Sequence, residues 1–413
     1  MAWMIPVILL LLLLKLAAQL WLERLNRAHV IAHADQVPEA FKHVVDNDTY
    51  AKSVKYTLAR SRLHLVELSW EAVVLLVVLF SGFLPWAFAF TQRLLGSSPS
   101  AAAVFVLVVG IVVSLPGLPL AWYEQFHLEQ EFGFNTTTPR LWWIDRAKGL
   151  GLSLILGFPL LLLILKFVEW MGQSWWLWAW AALLGFQLLM LVLAPVLIMP
   201  LFNKFTSLPE GSLRDRLLAL ADQTRFRAKS IQVMDGSKRS RHSNAFFTGF
   251  GKFRKIVLFD TLIQQLSEAE LAAVLAHEIG HYKRKHIPKM MVASALGSLV
   301  GFYVLSLLAV QPWFFRAFGF ESPHPAVALL LFGLLAGAIT FWFSPLAHWW
   351  SRRYEYQADA YAAEAMGEAG SLVGALRKLS EKNLSNLTPH PVYSGFYYSH
   401  PTLVEREAAL AIN

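Results

Sequence analysis

His277-Glu278-Ile279-Gly280-His281 sets two imidazoles four residues apart, with a carboxylate directly after the first. On a helix, such residues share one face about a turn apart, so both rings can grip a single Zn²⁺ through ring nitrogens. Glu278 lies one step round that helix, placed to take a proton from a water the metal activates. Just upstream, Ser267-Glu268-Ala269-Glu270 has the form of a capping box and predicts where the helix starts. Taken alone, the five residues also fit an ordinary polar helix face. A catalytic zinc usually takes three protein ligands, and no third His follows at the spacing of the elongated HExxHxxGxxH pattern. A carboxylate from another helix is then expected, and Tyr354-Glu355-Tyr356-Gln357-Ala358-Asp359 offers two on one face. Glu355 would ligate while Asp359 accepts a hydrogen bond from a ligand histidine and fixes its tautomer. The same run reads equally well as a solvated acidic face beside Arg352 and Arg353.

The elements that must position these groups are largely apolar. Of 413 residues, 56% are hydrophobic and only 15% charged, against about 25% charged in soluble globular proteins. With no Cys, a disulfide scaffold is excluded, and this apolar content excludes disorder. Seven stretches reach the roughly 20 residues that cross a hydrocarbon core. They lie at Trp3–Leu22, Leu68–Phe90, Ala101–Trp122, Gly149–Val168, Ser174–Met199, Met290–Val310 and Pro325–Ala347. The first lacks a basic flank and a cleavage site, so it reads as a retained anchor rather than a signal peptide. Of the 36 Lys+Arg, 32 fall in alternate connections and 2 in the others, predicting an outside N-terminus and a cytosolic C-terminus. The net charge of +8 therefore reports orientation, not nucleic-acid binding; the basic runs 238–242 and 283–286 belong to this cytosolic face.

The expected organisation is membrane helices one to five over 1–199, a peptidase segment with the zinc helix over 200–289, helices six and seven over 290–347, and a completing cytosolic segment over 348–413. Strands are predicted at Ser230–Met234, Asn244–Phe247 and Lys255–Phe259, with a helix near 209–224. The fold class is mostly α: a polytopic membrane protein with a zinc-peptidase domain containing a small β-sheet. Lys15 and Lys166 fall inside spans, and Glu67, Glu71 and Glu124 near span ends. Groups at such depth usually face a cavity or a partner. Snorkelling to the interface is the simpler account of Glu67, Glu124 and Lys166.

The His-Glu-Ile-Gly-His and Glu-Tyr-Gln-Ala-Asp motifs together resemble the signature of the type I CAAX prenyl proteases, integral-membrane gluzincins. Tyr398-Ser399-His400-Pro401-Thr402 with Arg406, Ser243-Asn244-Ala245-Phe246-Phe247 and Gly133-Phe134-Asn135 are similar to further family segments, in the same order. Departures are mild: Tyr356 stands where Phe is usual, and Thr402 where a second Pro is common. The resemblance implies one Zn²⁺ per chain on His277, His281 and Glu355, with Glu278 as general base and acid. It further implies that Asn244 and His400 contact substrate backbone or the tetrahedral oxyanion, and that Arg406 supports that region. The substrate would be a peptide or protein, prenylated near its C-terminus, or a non-prenylated membrane protein cleaved for quality control. A transporter is disfavoured because every proposed ligand flanks the spans rather than lying at mid-bilayer. An inactive scaffold has no support, since Glu278 and all three ligands are present. No dilysine retention signal is seen and the connection between spans six and seven is short. These favour a bacterial inner membrane, or the endoplasmic reticulum if the source is eukaryotic. Either Asn244–Phe247 or Lys255–Phe259 would bind an extended substrate as an added strand.

Overall fold

Seven helical segments long and apolar enough to cross a membrane run through the computed structural model, which describes residues 4–42, 45–226, 230–248 and 255–412. The first two are α1 (Met4–Ala32) and α2 (Asn47–Phe80). Asp46 caps α2 by accepting from Thr49 N at 2.8 Å. At 34 residues, α2 extends about 50 Å, well beyond a hydrocarbon core of about 30 Å. Part of that length, from Tyr56 to Glu67, lines a polar cavity. The predicted second span, Leu68–Phe90, is broken in the structure: α2 stops at Phe80, and Gly82 turns the chain at φ 82°. A separate helix follows, α3 (Phe83–Leu95). A left-handed φ is nearly free for Gly and costly for most other residues, so Ser81-Gly82 ends the helix despite the unbroken hydrophobicity.

The third span begins with α4 (Pro99–Ser114) and continues through a π-helical turn at Glu124–Leu128 to Glu131. Then come α5 (Pro139–Trp170) and α6 (Trp175–Leu193). Leu79, Leu84, Phe105, Phe315, Val327 and Leu331 pack at the heart of the bundle. Leu10, Val77 and Trp86 are exposed on its outside, as a lipid-facing surface requires.

Between the fifth and sixth spans lies a four-stranded sheet of β1 (Phe205–Ser207), β2 (Ser230–Met234), β3 (Ala245–Thr248) and β4 (Lys255–Phe259), in the order β1-β2-β4-β3. Only the β2/β4 pair is parallel. β4 is thus paired on both sides, which removes Lys255–Phe259 as a strand that receives substrate and leaves β3 as an edge strand among the described residues. The short β1 was not expected from sequence. Helix α7 (Ser212–Gln223) and the zinc-motif helix α8 (Glu268–Lys283) pack with the sheet through Leu217, Ile256, Leu258, Leu271, Leu275 and Ile279. The last spans are α9 (His286–Leu308), then α10 (Pro325–Thr340) running on into α11 (Ser344–Met366). Three helices finish the chain: α12 (Gly370–Lys382), α13 (Pro391–Tyr397) and α14 (Leu403–Ile412).

The sheet is fastened to the membrane helices by the segment after the third span. Asn135 bridges Ser240, Arg241 N donates to Phe134 O at 3.0 Å, and Thr136 Oγ1 donates to Ser237 O at 2.7 Å. Arg239 grips Asp145 with two hydrogen bonds of 2.8 and 3.0 Å, and the His242 ring stacks on Phe134 at 4.1 Å. The basic run 238–242 therefore joins two parts of the molecule.

A cavity of about 630 Å³ opens between α1, α2, the π-turn and the chain after α12. Its lining is polar, including Glu23, Arg60, Glu67, Glu124, His242 and Tyr398. Glu67 and Glu124 thus face a cavity instead of snorkelling outward; Glu124 lies 3.5 Å from Arg60 and Glu67 lies 3.6 Å from His64. Lys166 pairs with Glu169, one turn away, at 2.9 Å. A second cavity, lined by His400, shares Ser385, Asn386 and Tyr398 with the first.

Candidate metal centre and active site

Helix α8 starts at the expected capping box: Ser267 Oγ accepts from Glu270 N, and Glu270 Oε2 accepts from Ser267 N at 2.7 Å. Lys378 on α12 adds a 2.8 Å ion pair to the same Glu270 oxygen. One face of α8 buries Leu271, Ala272, Leu275, Ala276 and Ile279, and the neighbouring stripe carries His277 and His281 toward α11. The two helices touch at Gly280. A Cβ built there would lie 3.0 Å from Ala358 Cα, 3.1 Å from Ala358 O and 3.1 Å from Tyr361 Cβ. Only a residue without a side chain lets α11 come this near.

That approach brings Glu355 to the histidine pair. His277 Nε2 and His281 Nε2 are 3.1 Å apart, Glu355 Oε2 is 3.5 Å from the first, and Glu355 Oε1 is 3.3 Å from the second. Ligands at about 2.0–2.1 Å around a tetrahedral zinc are separated by about 3.3 Å. The triangle matches that spacing. Glu355 is 4% exposed, and its Oε2 is buried with no hydrogen-bond partner among the described residues. A buried carboxylate oxygen left bare beside two ring nitrogens is what a cation would satisfy. The residues present fit the metal.

Asp359 sits one turn after Glu355 and is buried. Its Oδ1 accepts from His277 Nδ1 at 2.8 Å, leaving His277 Nε2 bare toward the triangle. Burial disfavours a charged His277, but Asp359 and Glu355 outweigh it and raise the metal-free imidazole to about 9. Arg406, on α14, is buried too, and its guanidinium holds Asp359 at 2.5 and 2.8 Å. It therefore meets the site from behind Asp359. Its helix begins with the expected Thr402–Glu405 cap, Thr402 N donating to Glu405 Oε2 at 2.7 Å.

Glu278 is half-buried on the adjoining face, and burial pushes its carboxyl above the ordinary range despite His277 and His281 nearby. His400 is exposed to the cavity, with Nε2 3.5 Å from Glu355 Oε1. Asn244 stands apart at the entrance to β3. Its side chain is exposed, its Oδ1 accepts from Ala245 N at 2.8 Å, and no hydrogen bond joins it to the cluster among the described residues.

Two contributors were not singled out for the site from sequence. Arg352, one turn before Glu355, donates to the carbonyls of Tyr398, Gly395 and Ser394 at 2.7, 3.2 and 3.4 Å, tying α11 to the segment that carries His400. Its spacing from Glu355 was the available signal. His286 reads as part of a basic surface run, yet its ring is 1% exposed and contacts His281.

Comparisons with known proteins bear on both halves of the chain. Residues 26–204 match the family model described as CAAX prenyl protease N-terminal, five membrane helices, and residues 207–412 match the model of peptidase family M48. The chain is 37% identical to a CAAX prenyl protease 1 homolog of Arabidopsis thaliana, covering 91% of this chain and 90% of that one. It is 35% identical to CAAX prenyl protease 1 of Saccharomyces cerevisiae, over 91% and 88%. The crystal structure of S. mikatae Ste24p superposes with a TM-score of 0.88 at 33% identity, over 97% of this chain and 98% of that chain. With the likeness running through membrane and peptidase parts alike, the chain belongs to peptidase family M48, as an integral-membrane metalloprotease of the CAAX prenyl protease type.

Proposed function

We propose that the protein is a zinc endopeptidase that hydrolyses peptide bonds near the C-terminus of prenylated, CAAX-type substrates. The observation that carries this reading is a ligand triangle of zinc dimensions, linked through His400 to a polar cavity that adjoins one walled by membrane helices, in a chain similar over its length to CAAX prenyl proteases. His277, His281 and Glu355 would hold one Zn²⁺, which when bound supplies Lewis acidity to a water and to the scissile carbonyl.

The chain's own groups do the rest. Glu278, its carboxyl raised above the ordinary range by burial, takes the proton of the attacking water and returns it to the leaving amine. His400 stands on the cavity side of Glu355 and donates to the oxyanion as it develops. Asp359 and Arg406 keep His277 turned to the metal. An extended substrate pairs with the edge strand β3, where Asn244 meets its backbone. Positive-inside bias supports an outside N-terminus and a cytosolic active site. The four stretches 1–199, 200–289, 290–347 and 348–413 act as wall, peptidase segment, closing spans and completing segment. The basic runs serve orientation and packing, with no role for nucleic acid. We place the protein in a bacterial inner membrane, or in the endoplasmic reticulum membrane if its source is eukaryotic.

The test is cleavage of a farnesylated CAAX peptide against the same peptide without lipid, using purified protein in detergent. Preferential cleavage of the lipidated peptide is expected. Equal cleavage of both would replace this reading with a quality-control protease for non-prenylated membrane proteins.

A further inference from the structure

Two residues beyond the end of α8 the chain turns at Lys285, φ 56°, and re-enters a helix with His286 as its first residue. The turn drives the His286 ring inward, where it stacks on Tyr354 with centroids 4.1 Å apart and planes 10° from parallel. Both ring nitrogens have partners. Nδ1 lies 3.0 Å from His281 Nδ1, and Nε2 lies 3.0 Å from Gln357 Oε1. A neutral imidazole has one N–H. Facing an amide oxygen, His286 carries that proton on Nε2, so its Nδ1 is an acceptor. The proton between the two histidines then belongs to His281 Nδ1, and His281 Nε2 keeps its lone pair. Nε2 is the atom that faces Glu355 Oε1 at 3.3 Å and His277 Nε2 at 3.1 Å.

The opposite polarity fails at the site. With the Gln357 amide reversed, His286 would accept from it and donate to His281. The His281 proton would then sit on Nε2, pointing into the ligand triangle and blocking it. Only one direction of the chain Gln357–His286–His281 leaves all three ligand atoms bare.

We propose that His286, aimed by Gln357, is a positioning residue that fixes the metal-binding tautomer of His281. The two ligand histidines are thus held by unlike acceptors: a carboxylate for His277 and a neutral imidazole for His281. The inference rests on the reading of His277, His281 and Glu355 as ligands.

Two substitutions separate the acceptor from the ring. His286→Phe keeps the stack on Tyr354 and removes the acceptor. His286→Asn removes the ring but offers an oxygen close to where Nδ1 was. The readouts on purified full-length protein are Zn²⁺ affinity, by competition with a chromophoric chelator, and the visible spectrum of the Co²⁺-loaded form. H286F is expected to bind Zn²⁺ about 10–100-fold more weakly, the usual effect of losing such a partner, and to shift the Co²⁺ bands. H286N should recover most of that affinity. Wild-type affinity in H286F, or an H286N weaker than H286F, would show that ring packing is what counts and overturn the proposal. A wild-type protein that binds no Zn²⁺ would overturn the ligand assignment, and this inference with it.

Discussion

Gly280→Ala tests whether the approach of α8 to α11 sets the metal centre. The added Cβ would lie 3.0–3.1 Å from Ala358 Cα, Ala358 O and Tyr361 Cβ. Carbon atoms rest at about 3.5–4.0 Å, so the helices must separate by about 0.5 Å or more. Ala gains about 1 kcal/mol over Gly in helix propensity, while overpacking costs about 1–3 kcal/mol, so the fold should survive with a small net loss. The site has less slack. Gly280 lies between the two ligand histidines, and functional constellations tolerate about 0.5 Å. A fall of about 10–100-fold in kcat/KM is expected, about 1.4–2.7 kcal/mol in the barrier, with weakened Zn²⁺ binding. Peptide cleavage, chelator competition and thermal melting in detergent measure the three quantities. Adding Ala358→Gly removes that residue's Cβ but not the Cα and O that Gly280→Ala meets, so it should not rescue. Wild-type rate and affinity in the single variant, or rescue by the second change, would refute the backbone-contact argument.

Other outcomes follow from the same geometry. Glu278→Gln should keep bound zinc yet lose about 10²–10⁴-fold in rate; substantial residual cleavage would remove Glu278 as the proton carrier. Glu355→Ala should lose the metal, and elemental analysis showing full occupancy would overturn its ligand role. Glu270→Gln should lower stability by about 1 kcal/mol by weakening the cap of the zinc helix. Burial would raise the Glu270 carboxyl, but Lys378 and the Ser267 bonds outweigh it and hold the folded value below the usual range. Its contribution is therefore present above the unfolded value near ~4.3 and fades as pH falls through the folded one. Melting temperatures of wild type and E270Q should converge in acid; a gap that widens there would contradict the assignment.

Much of the metal centre was legible because its parts are local. His277 and His281 share a helix face by spacing, and Glu355 and Asp359 share another. The capping boxes at Ser267 and Thr402 marked the helix starts and are both present. What sequence did not carry was contact between distant elements. His286 follows three basic residues and looks exposed until the turn at Lys285 buries it. Glu67 and Glu124 looked like interfacial groups because the cavity they line exists only once α1, α2 and the π-turn enclose it. Hydropathy also ran straight through Ser81-Gly82, where one backbone angle ends the second span.

Arg406 illustrates how such a distant partner would govern a bound metal. Glu278, Glu355 and Asp359 bring three carboxylates into one small volume, and Arg406 is the cation held against them. A divalent ion together with Arg406 matches those three charges. Without the ion the balance is short, and His277 rises to about 9 because Asp359 and Glu355 favour its cation over the cost of burial, while Arg406 opposes that rise. A proton on His277 Nε2 thus competes with the metal for the same lone pair. Arg406→Gln removes the opposing charge, so the proton should persist to higher pH. Zn²⁺ affinity in R406Q is expected to fall below wild type by a constant factor at pH 6–8, with the gap closing only as pH rises past about 9. Chelator competition at several pH values decides it. A deficit that stays undiminished above about pH 9 would mean that Arg406 only props Asp359 in place, and the charge-balance argument would fail.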